Sequence, residues 1–238
     1  MNQFLRTEMI LGSDNVNKLK SKTVAIFGLG GVGSYVTETL ARVGIGNFIL
    51  IDNDIIDITN INRQIFALHS TIGQDKVTVA KNRILDINPS ANVLTHKIFY
   101  LKEHNNIIDN CDYVIDAIDS VTSKLDLAQE CNNKKIPIIS SMGTGNKLNP
   151  TLFEVSDIFK TSVCPLCRVM RHELKKRNVP SLKVVYSKEV PITPNKNKDI
   201  DPHTITQNKR QTPGSVSFVP SAAGVIISSE VVKDLLSL

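Results

Sequence analysis

The fold of this chain is decided by residues 23–33, which read TVAIFGLGGVG. The first five residues are apolar or β-branched, a composition typical of a buried strand. Four glycines then follow within six positions: Gly28, Gly30, Gly31 and Gly33. In such a pattern one glycine makes a tight turn, another lets the backbone approach a phosphate, and a third lets helix and strand pack closely. The stretch therefore predicts a strand, a phosphate-binding turn and a helix from residue 34.

Strands and helices are predicted to alternate on both sides of this stretch. A polar helical lead-in is expected over residues 1–20, and further strands at 48–51, 92–99, 113–118, 136–140 and 183–187. Helices are expected at 34–43, 76–87, 121–132, 164–178 and 222–238. This alternation predicts an α/β fold with a doubly wound, Rossmann-like, mostly parallel sheet and helices on both faces.

The domain organisation follows from the point at which predicted strands and helices no longer alternate regularly. We expect one domain over residues 1–238, with a nucleotide-binding core at 20–150. A C-terminal extension at 151–238 would hold a basic segment and a long mobile loop at about 189–214, which is rich in Pro, Asn, Lys and Thr. Loops of this length in a compact domain are usually functional or disordered.

Composition narrows the class of protein. The 238 residues are 41% hydrophobic with four Cys, enough apolar content for a packed core and too few cysteines for a disulfide scaffold. The first residues have no apolar run typical of a signal peptide. The longest weakly polar stretch, residues 215–229, is broken by Pro220 and is shorter than the roughly 20 apolar residues that span a bilayer. We therefore expect a cytoplasmic protein without a membrane partner.

The positive charge is concentrated in one segment. Residues 160–210 hold 12 of the 28 Lys and Arg residues but only 4 of the 23 Asp and Glu residues. A run of this kind is either a solvated surface that keeps the protein in solution or a contact surface for an anionic partner such as nucleic acid.

Polar residues follow the ends of the predicted strands, where open α/β sheets bind their ligands. Asp52 ends the second strand, where a carboxylate can bond ribose hydroxyls. Arg63 and Lys76 carry more positive charge than the diphosphate of a nicotinamide cofactor needs. Their charges indicate a nucleoside triphosphate that is cleaved in the reaction, with Asp119 as a ligand of Mg²⁺. Taken singly, Lys76 is equally typical of a helix surface and Asp119 of a helix N-cap.

Together these motifs resemble those of the adenylating superfamily that includes ThiF, MoeB and the ubiquitin-activating enzymes. The motifs lie at residues 28–34 (GLGGVGS), 52–54 (DND), 60–64 (NINRQ), 73–76 (GQDK) and 116–120 (DAIDS). The resemblance covers residues 5 to about 150. It implies ATP and Mg²⁺ as cofactors, and a bound monovalent cation would be in keeping with it.

The same resemblance implies roles for individual residues. The residues implied to bind the nucleotide are Gly28, Gly30, Gly31, Gly33, Asp52, Asn60, Asn62, Arg63, Lys76, Asp119 and Ser120. Asp119 would be the catalytic acidic residue and the metal ligand, and Arg63 and Lys76 would act on the phosphates. Arg6 is the candidate for an arginine that reaches the phosphates of the partner subunit in a homodimer.

Residues 116–120, 169–177 with 182–189, and 209–221 resemble a branch of this superfamily that acts on tRNA. That branch uses ATP to dehydrate threonylcarbamoyladenosine beside the anticodon, a cyclisation through an adenylated carboxylate. The resemblance implies tRNA as the partner. Candidate contacts in the basic segment are Lys175, Lys176, Arg177, Lys188, Lys209 and Arg210.

Two other functions stay open from the sequence. The chain could activate the C-terminal carboxylate of a ubiquitin-like sulfur carrier, with a sulfur-relay or carrier protein as partner; the adenylation residues would be the same. It could also be an NAD-binding oxidoreductase or a nucleotide sensor, which would make Arg63, Lys76 and Asp119 coincidental.

The pair Cys164 and Cys167 bears on the first of these alternatives. A structural zinc site needs four ligands, and this chain has a single Cys-x-x-Cys pair, so we do not expect zinc even with His172 or His203 nearby. Ordinary reduced thiols are the favoured interpretation. A redox pair or a thioester-forming cysteine are the alternatives.

Overall fold

Helices and strands alternate along the chain in the computed structural model, which describes residues 2–194 and 213–238. The helices are α1 (Leu5–Leu11), α2 (Ser13–Ser21), α3 (Gly33–Val43), α4 (Lys76–Ile87), α5 (Val121–Lys134), α6 (Pro165–Lys176) and α7 (Phe218–Leu236). The strands are β1 (Thr23–Phe27), β2 (Asn47–Ile51), β3 (Asn92–His96), β4 (Tyr113–Asp116), β5 (Ile138–Ser141), β6 (Phe153–Asp157) and β7 (Lys183–Ser187).

The seven strands form one sheet in the order β3-β2-β1-β4-β5-β7-β6. Neighbouring strands are parallel except β6, which runs antiparallel to β7. The strand order reverses between β1 and β4, and in open α/β sheets ligands bind in the crevice at the carboxyl ends on either side of such a reversal. The predicted doubly wound, mostly parallel sheet is confirmed.

Each face of the sheet is covered by helices. In β1, Val24 and Ile26 belong to a core cluster shared with α2, α3, α4 and α7. Ala25 and Phe27 point the other way, into a cluster shared with α5. Because both faces are buried, the strand is apolar throughout rather than alternating, as parallel strands usually are.

The long helix α7 packs directly on the glycine turn and on the start of α3. A methyl group added at Gly224 would lie 2.7 Å from the carbonyl oxygen of Val32, and one at Gly31 would lie 3.1 Å from Cβ of Pro220. The approach at Gly224 is closer than any residue with a side chain would allow. Residues from the C-terminal extension therefore form one wall of the site built by residues 23–33.

Several predicted boundaries differ from the structure. The lead-in at residues 1–20 is two helices, separated at Gly12, whose φ of +84° is favoured by glycine. The strands predicted at 92–99 and 113–118 end earlier, at His96 and Asp116. The last helix begins at Phe218 rather than at 222, because Pro220 lies in its first turn, where a missing N–H is tolerated.

The strand β6 has no counterpart in the sequence prediction. Its residues are only partly buried and carry charges at Glu154 and Asp157, so the pattern lacks a clear apolar face. Of the loop predicted at 189–214, residues 189–194 and 213–214 form neither helix nor strand, and the rest lies outside the described residues. Among the residues that the structure describes, no helix has the length and apolar content to cross a bilayer.

Candidate nucleotide-binding active site

The glycine turn lies at the reversal point of the sheet, between the ends of β1 and β4. Gly28 has a φ of +87°, and a methyl group there would lie 2.6 Å from the carbonyl oxygen of Ala117. A methyl group at Gly33 would lie 1.8 Å from the carbonyl oxygen of Gly28. Both glycines are therefore required by the fold itself.

Packing within the protein does not require a glycine at position 30. The nearest atom to a methyl group at this position is Nε2 of Gln64, at 3.9 Å, an ordinary contact. A glycine that packing does not require, at the N-terminal end of α3, leaves room for a ligand to approach the backbone. This cradle fits the phosphates of a nucleotide.

Asp52 ties the glycine turn to the end of β2. Its carboxylate accepts hydrogen bonds from the backbone N–H of Leu29, at 2.6 Å, and of Asp54, at 2.8 Å. Burial raises the pKa of Asp52, and the nearby Lys76 opposes that rise. Asp52 thus stands beside the turn, and its bond to a ribose stays a prediction.

Lys76 is the first residue of α4 and is 5% exposed, so the alternative of a helix-surface lysine is wrong. Its Nζ lies 2.7 Å from Oδ2 of Asp54, whose side chain is 57% exposed. A buried cation with a single, solvated carboxylate as its partner is suited to bind a second anion from the solvent side. A nucleotide phosphate is such an anion.

Arg63 lies against the glycine turn, with its Cγ 3.4 Å from where a methyl group at Gly31 would be. Its guanidinium donates to Oδ1 of Asn62 at 2.9 Å, and the amide of Asn62 donates to the carbonyl of Ser215 at 3.0 Å. The oxygen of Asn60 accepts from the backbone in a capping box. These amides hold the loop and the segment before α7 in place, and phosphate contacts by Asn60 and Asn62 stay predictions.

Asp119 follows β4 and is exposed, with no hydrogen bond or ion pair to any described residue. The N-cap of α5 is Ser120, whose Oγ accepts from the backbone N–H of Ser123 at 3.4 Å. The alternative of Asp119 as the helix cap is therefore wrong, and its carboxylate is available.

Within residues 2–194 and 213–238, no three His, Cys, Asp or Glu side chains form a metal cluster. A single carboxylate fits Mg²⁺, which takes one or two carboxylates plus phosphates of the substrate.

Sequence reasoning missed a buried ion pair directly beneath this loop. Lys124 of α5 and Asp116, the last residue of β4, are 1% and 0% exposed, with 3.0 Å between Nζ and Oδ2. Nζ also donates to Oγ of Ser140 at 3.2 Å and to the carbonyl of Ser141 at 2.8 Å. The other oxygen of Asp116 accepts from the backbone N–H of Ile118 at 3.1 Å. The network thus fixes the turn that carries Asp119.

The sequence signal for this ion pair is the spacing between Asp116, at the end of β4, and Lys124, in the first turns of α5. A lysine on a helix is usually solvated, which is why the sequence alone gives it little weight. The bonds to Ser140 and Ser141 depend on the pairing of β4 with β5, which only the structure provides.

Cys164 is the N-cap of α6 and Cys167 lies in its first turn, and both belong to an apolar cluster with Met170 and Leu174. The thiol of Cys167 and neighbouring backbone N–H groups, among them that of Gly143, lower the pKa of Cys164 to about 6. The hydrogen bond between its thiol and the sulfur of Cys164, together with burial, raises the pKa of Cys167. The environment therefore favours deprotonation of Cys164 over that of Cys167.

The basic candidates of the C-terminal extension are not equivalent. Three are held in ion pairs within the chain: Arg177 with Asp126 at 2.6 Å, Lys188 with Glu154 at 2.6 Å and Lys176 with Glu173 at 2.9 Å. Lys175 is exposed and has no such partner among the described residues. Lys209 and Arg210 lie outside the described residues. Arg6 is exposed on α1, far along the chain from the other site residues.

Comparisons with known proteins agree with this site. The chain is 43% identical over 242 residues to tRNA threonylcarbamoyladenosine dehydratase of Bacillus subtilis, covering 99% of this chain and 95% of that protein. The crystal structure of the Escherichia coli tRNA N6-threonylcarbamoyladenosine dehydratase with AMP matches with a TM-score of 0.88 at 31% identity, over 99% of this chain and 94% of that one. The structure of the same enzyme with ATP matches with a TM-score of 0.87, also at 31% identity and with the same coverage of both chains.

These two neighbours are complexes with AMP and with ATP. Residues 3–238 match the family description as a whole, so the glycine turn and the C-terminal extension both fall within it. The chain belongs to the ThiF family.

Proposed function

We propose that this protein uses ATP to dehydrate threonylcarbamoyladenosine in tRNA, closing a ring through an adenylated carboxylate. The observation that carries the proposal is the whole-chain similarity to dehydratases of that name, at 43% identity. It is supported by a phosphate cradle, a buried lysine and an unpaired carboxylate that lie around one reversal point of the sheet.

The chemistry needs charge neutralisation more than it needs a nucleophile from the protein. A carboxylate is a poor electrophile, and transfer of AMP onto it, with release of pyrophosphate, creates a mixed anhydride with a good leaving group. The attacking group sits on the same nucleoside, so proximity replaces a catalytic nucleophile. Ring closure expels AMP, and the net change in the nucleoside is the loss of one water.

Each residue of the site would have its own role in this reaction. The N-terminal end of α3 and the turn around Gly30 would receive the phosphates, and Lys76 and Arg63 would stabilise charge that develops on them. Asp119 would hold Mg²⁺, which supplies further neutralisation of phosphate charge when bound. Asp52 would orient the ribose from its place beside the turn.

The test is incubation of the purified protein with ATP, Mg²⁺ and tRNA carrying threonylcarbamoyladenosine, followed by mass spectrometry of the nucleosides. We expect the modified nucleoside to lose one water only when ATP is present. Unchanged nucleoside, together with adenylation of a ubiquitin-like sulfur carrier in a parallel reaction, would replace this proposal by the alternative activity.

We further propose that the active form is a homodimer in which Arg6 reaches the site of the partner subunit. Support comes from α1, whose apolar side chains are left uncovered by the described part of the chain: Leu5, Met9 and Ile10 are 53%, 73% and 84% exposed. Apolar exposure of this size on a helix that carries a candidate catalytic arginine is typical of a subunit interface.

Mixing two inactive variants tests the shared site. We expect Arg6→Ala and Asp119→Ala each to be inactive alone. After subunit exchange, mixed dimers would carry one intact site, restoring about a quarter of the wild-type rate if the chains pair at random. Arg42→Ala serves as the control, since this exposed arginine bonds Glu38 of its own chain at 2.6 Å. Absence of recovery in dimers shown to have exchanged would place Arg6 outside the partner's site.

The chain acts as one ThiF-type unit in this proposal, with residues 20–150 as the nucleotide-binding core and 151–238 as its extension. In support, β6 and β7 come from the extension and complete the sheet of the core through the pairing of β5 with β7. We propose a cytoplasmic location, since tRNA is the proposed substrate.

A further inference from the structure

The outward face of α6 carries several basic residues. Arg168, His172 and Lys175 are exposed and follow one another at spacings of four and three residues, which places them on one side of the helix. The opposite side, with Cys167, Met170 and Leu174, is fully buried in the core. The exposed side thus forms a basic stripe, defined here as Arg168, His172 and Lys175.

The stripe differs from the other basic residues of the extension in how its charge is used. Arg168 and Lys175 make no side-chain hydrogen bond or ion pair with the described part of the chain, whereas Arg177 and Lys188 are held at 2.6 Å from carboxylates. A paired guanidinium must give up its carboxylate before it can bind a phosphate. The side chains of Arg168 and Lys175 pay no such cost, so they are the better phosphate ligands.

A shallow cavity opens at the end of this stripe. It has a volume of about 460 Å³ and is lined by Phe159, Lys175, Asn178, Val179 and Pro180. The ring of Phe159 is 38% exposed, in a chain where aromatic residues are only 5% of the total. Its backbone is fixed, because its N–H donates to Oδ1 of Asp157 at 2.8 Å. An exposed aromatic ring beside an unpaired lysine combines a stacking surface with a phosphate ligand.

The cavity lies at the opposite edge of the sheet from the glycine turn. Phe159 follows Asp157, which pairs with Lys183, the first residue of β7, so it lies at the amino ends of the parallel strands. Because α6 ends shortly before β7 begins, its last turn lies at this edge and its first turn lies towards the carboxyl edge. The 12 residues of α6 span about 18 Å. The stripe itself, from Arg168 to Lys175, rises about 10 Å along this helix, so it leads from the first half of α6 towards the cavity.

We propose that this cavity binds one unpaired nucleotide of the tRNA, with the base stacked on Phe159 and its phosphate on Lys175. This inference rests on the proposed tRNA substrate. The amide of Asn178 lines the same cavity and is placed to meet a base edge. The stripe offers further phosphate contacts next to the cavity, so that the RNA is held by one base at Phe159 and by its backbone along α6.

The test compares tRNA binding by Phe159→Ala, Phe159→Trp and Lys175→Ala with that of the wild-type protein at several salt concentrations. We expect Phe159→Ala to weaken tRNA binding roughly five-fold to a hundred-fold with an unchanged salt dependence. Phe159→Trp, which keeps the stacking surface, should retain the affinity. Lys175→Ala should weaken binding and reduce the slope of log K against log salt by about one.

Matched controls separate this site from general effects. Phe99→Ala removes another exposed phenylalanine, and Lys233→Ala removes a lysine of α7 that is paired with Glu230 at 2.9 Å. Neither should change tRNA affinity more than about two-fold. A blunt RNA duplex serves as a second probe: Phe159→Ala should leave its binding unchanged, because no base is free to stack.

Two results would overturn the inference. One is an unchanged tRNA affinity in Phe159→Ala while the wild-type protein dehydrates its substrate. The other is an equal loss of affinity for tRNA and duplex, which would make the ring a packing element instead of a stacking surface. Failure of the wild-type protein to dehydrate the nucleoside would instead refute the proposed function, so the two failures are distinguishable.

Discussion

Replacing Asp119 with alanine should lower the rate of dehydration about 100-fold or more while the fold stays intact. The carboxylate is exposed and bonds no described residue, so its removal leaves no buried group unsatisfied. Asp119 is proposed to hold Mg²⁺, so its loss would remove that ligand, and neutralisation of phosphate charge by a metal ion contributes several kcal/mol to such reactions. The rate would be measured from water loss in the nucleoside by mass spectrometry, and the fold by thermal unfolding.

A control shows whether any exposed carboxylate has this effect. Asp86 is exposed on α4 and is not among the site residues, so Asp86→Ala should keep the wild-type rate. The Mg²⁺ concentration for half-maximal rate should rise in Asp119→Asn, which keeps the shape of the side chain and loses its charge. A fully active Asp119→Ala variant would remove Asp119 from the mechanism.

Replacing Lys124 with methionine should destabilise the protein by about 3–5 kcal/mol, since it leaves the carboxylate of Asp116 buried without its partner. That is a large part of the about 5–15 kcal/mol by which domains are usually stable. Asp116 is fully buried, and its remaining partners would be the hydroxyl of Ser140 and the N–H of Ile118. Urea unfolding would measure the loss as a lower midpoint with an unchanged m-value.

The matched control for Lys124 is a lysine whose ion pair is at the surface. Lys183 lies 2.8 Å from Glu230 and 2.9 Å from Asp234, with its side chain 30% exposed. Lys183→Met should cost about 1 kcal/mol or less, because surface pairs contribute little. Replacing both Lys124 and Asp116 with apolar residues should recover part of the loss. A Lys124→Met variant as stable as Lys183→Met would show that Asp116 finds other compensation.

The sheet and its glycine turn were predictable from sequence because each signal is local. Residues 23–33 contain the strand, the turn and the helix start in unbroken order, and buried parallel strands are marked by short apolar runs. The positions of Asp52, Lys76 and Asp119 at strand and helix ends followed from the same local order. The environments of these residues could not be predicted in this way. For example, burial of Lys76 depends on the packing of the loop around Asp54, which is 22 residues away.

The features that sequence did not predict depend on contacts between distant segments or on weak patterns. The network of Lys124 needs the register between β4 and β5. The strand β6 is partly exposed on both sides, so neither its hydrophobicity nor its alternation distinguishes it from a loop. The free and paired basic residues of the extension look alike in sequence, and only the positions of Asp126, Glu154 and Glu173 separate them.

The packing of α7 on the glycine turn has a consequence for how the site is assembled. Gly31 and Pro220 are in contact, although 189 residues separate them along the chain. Contacts of such separation are costly in loop-closure entropy and form late in folding. A ribosome must therefore release nearly the whole described chain before the nucleotide cradle gains its outer wall. Completion of this wall then marks a molecule whose synthesis has passed that point.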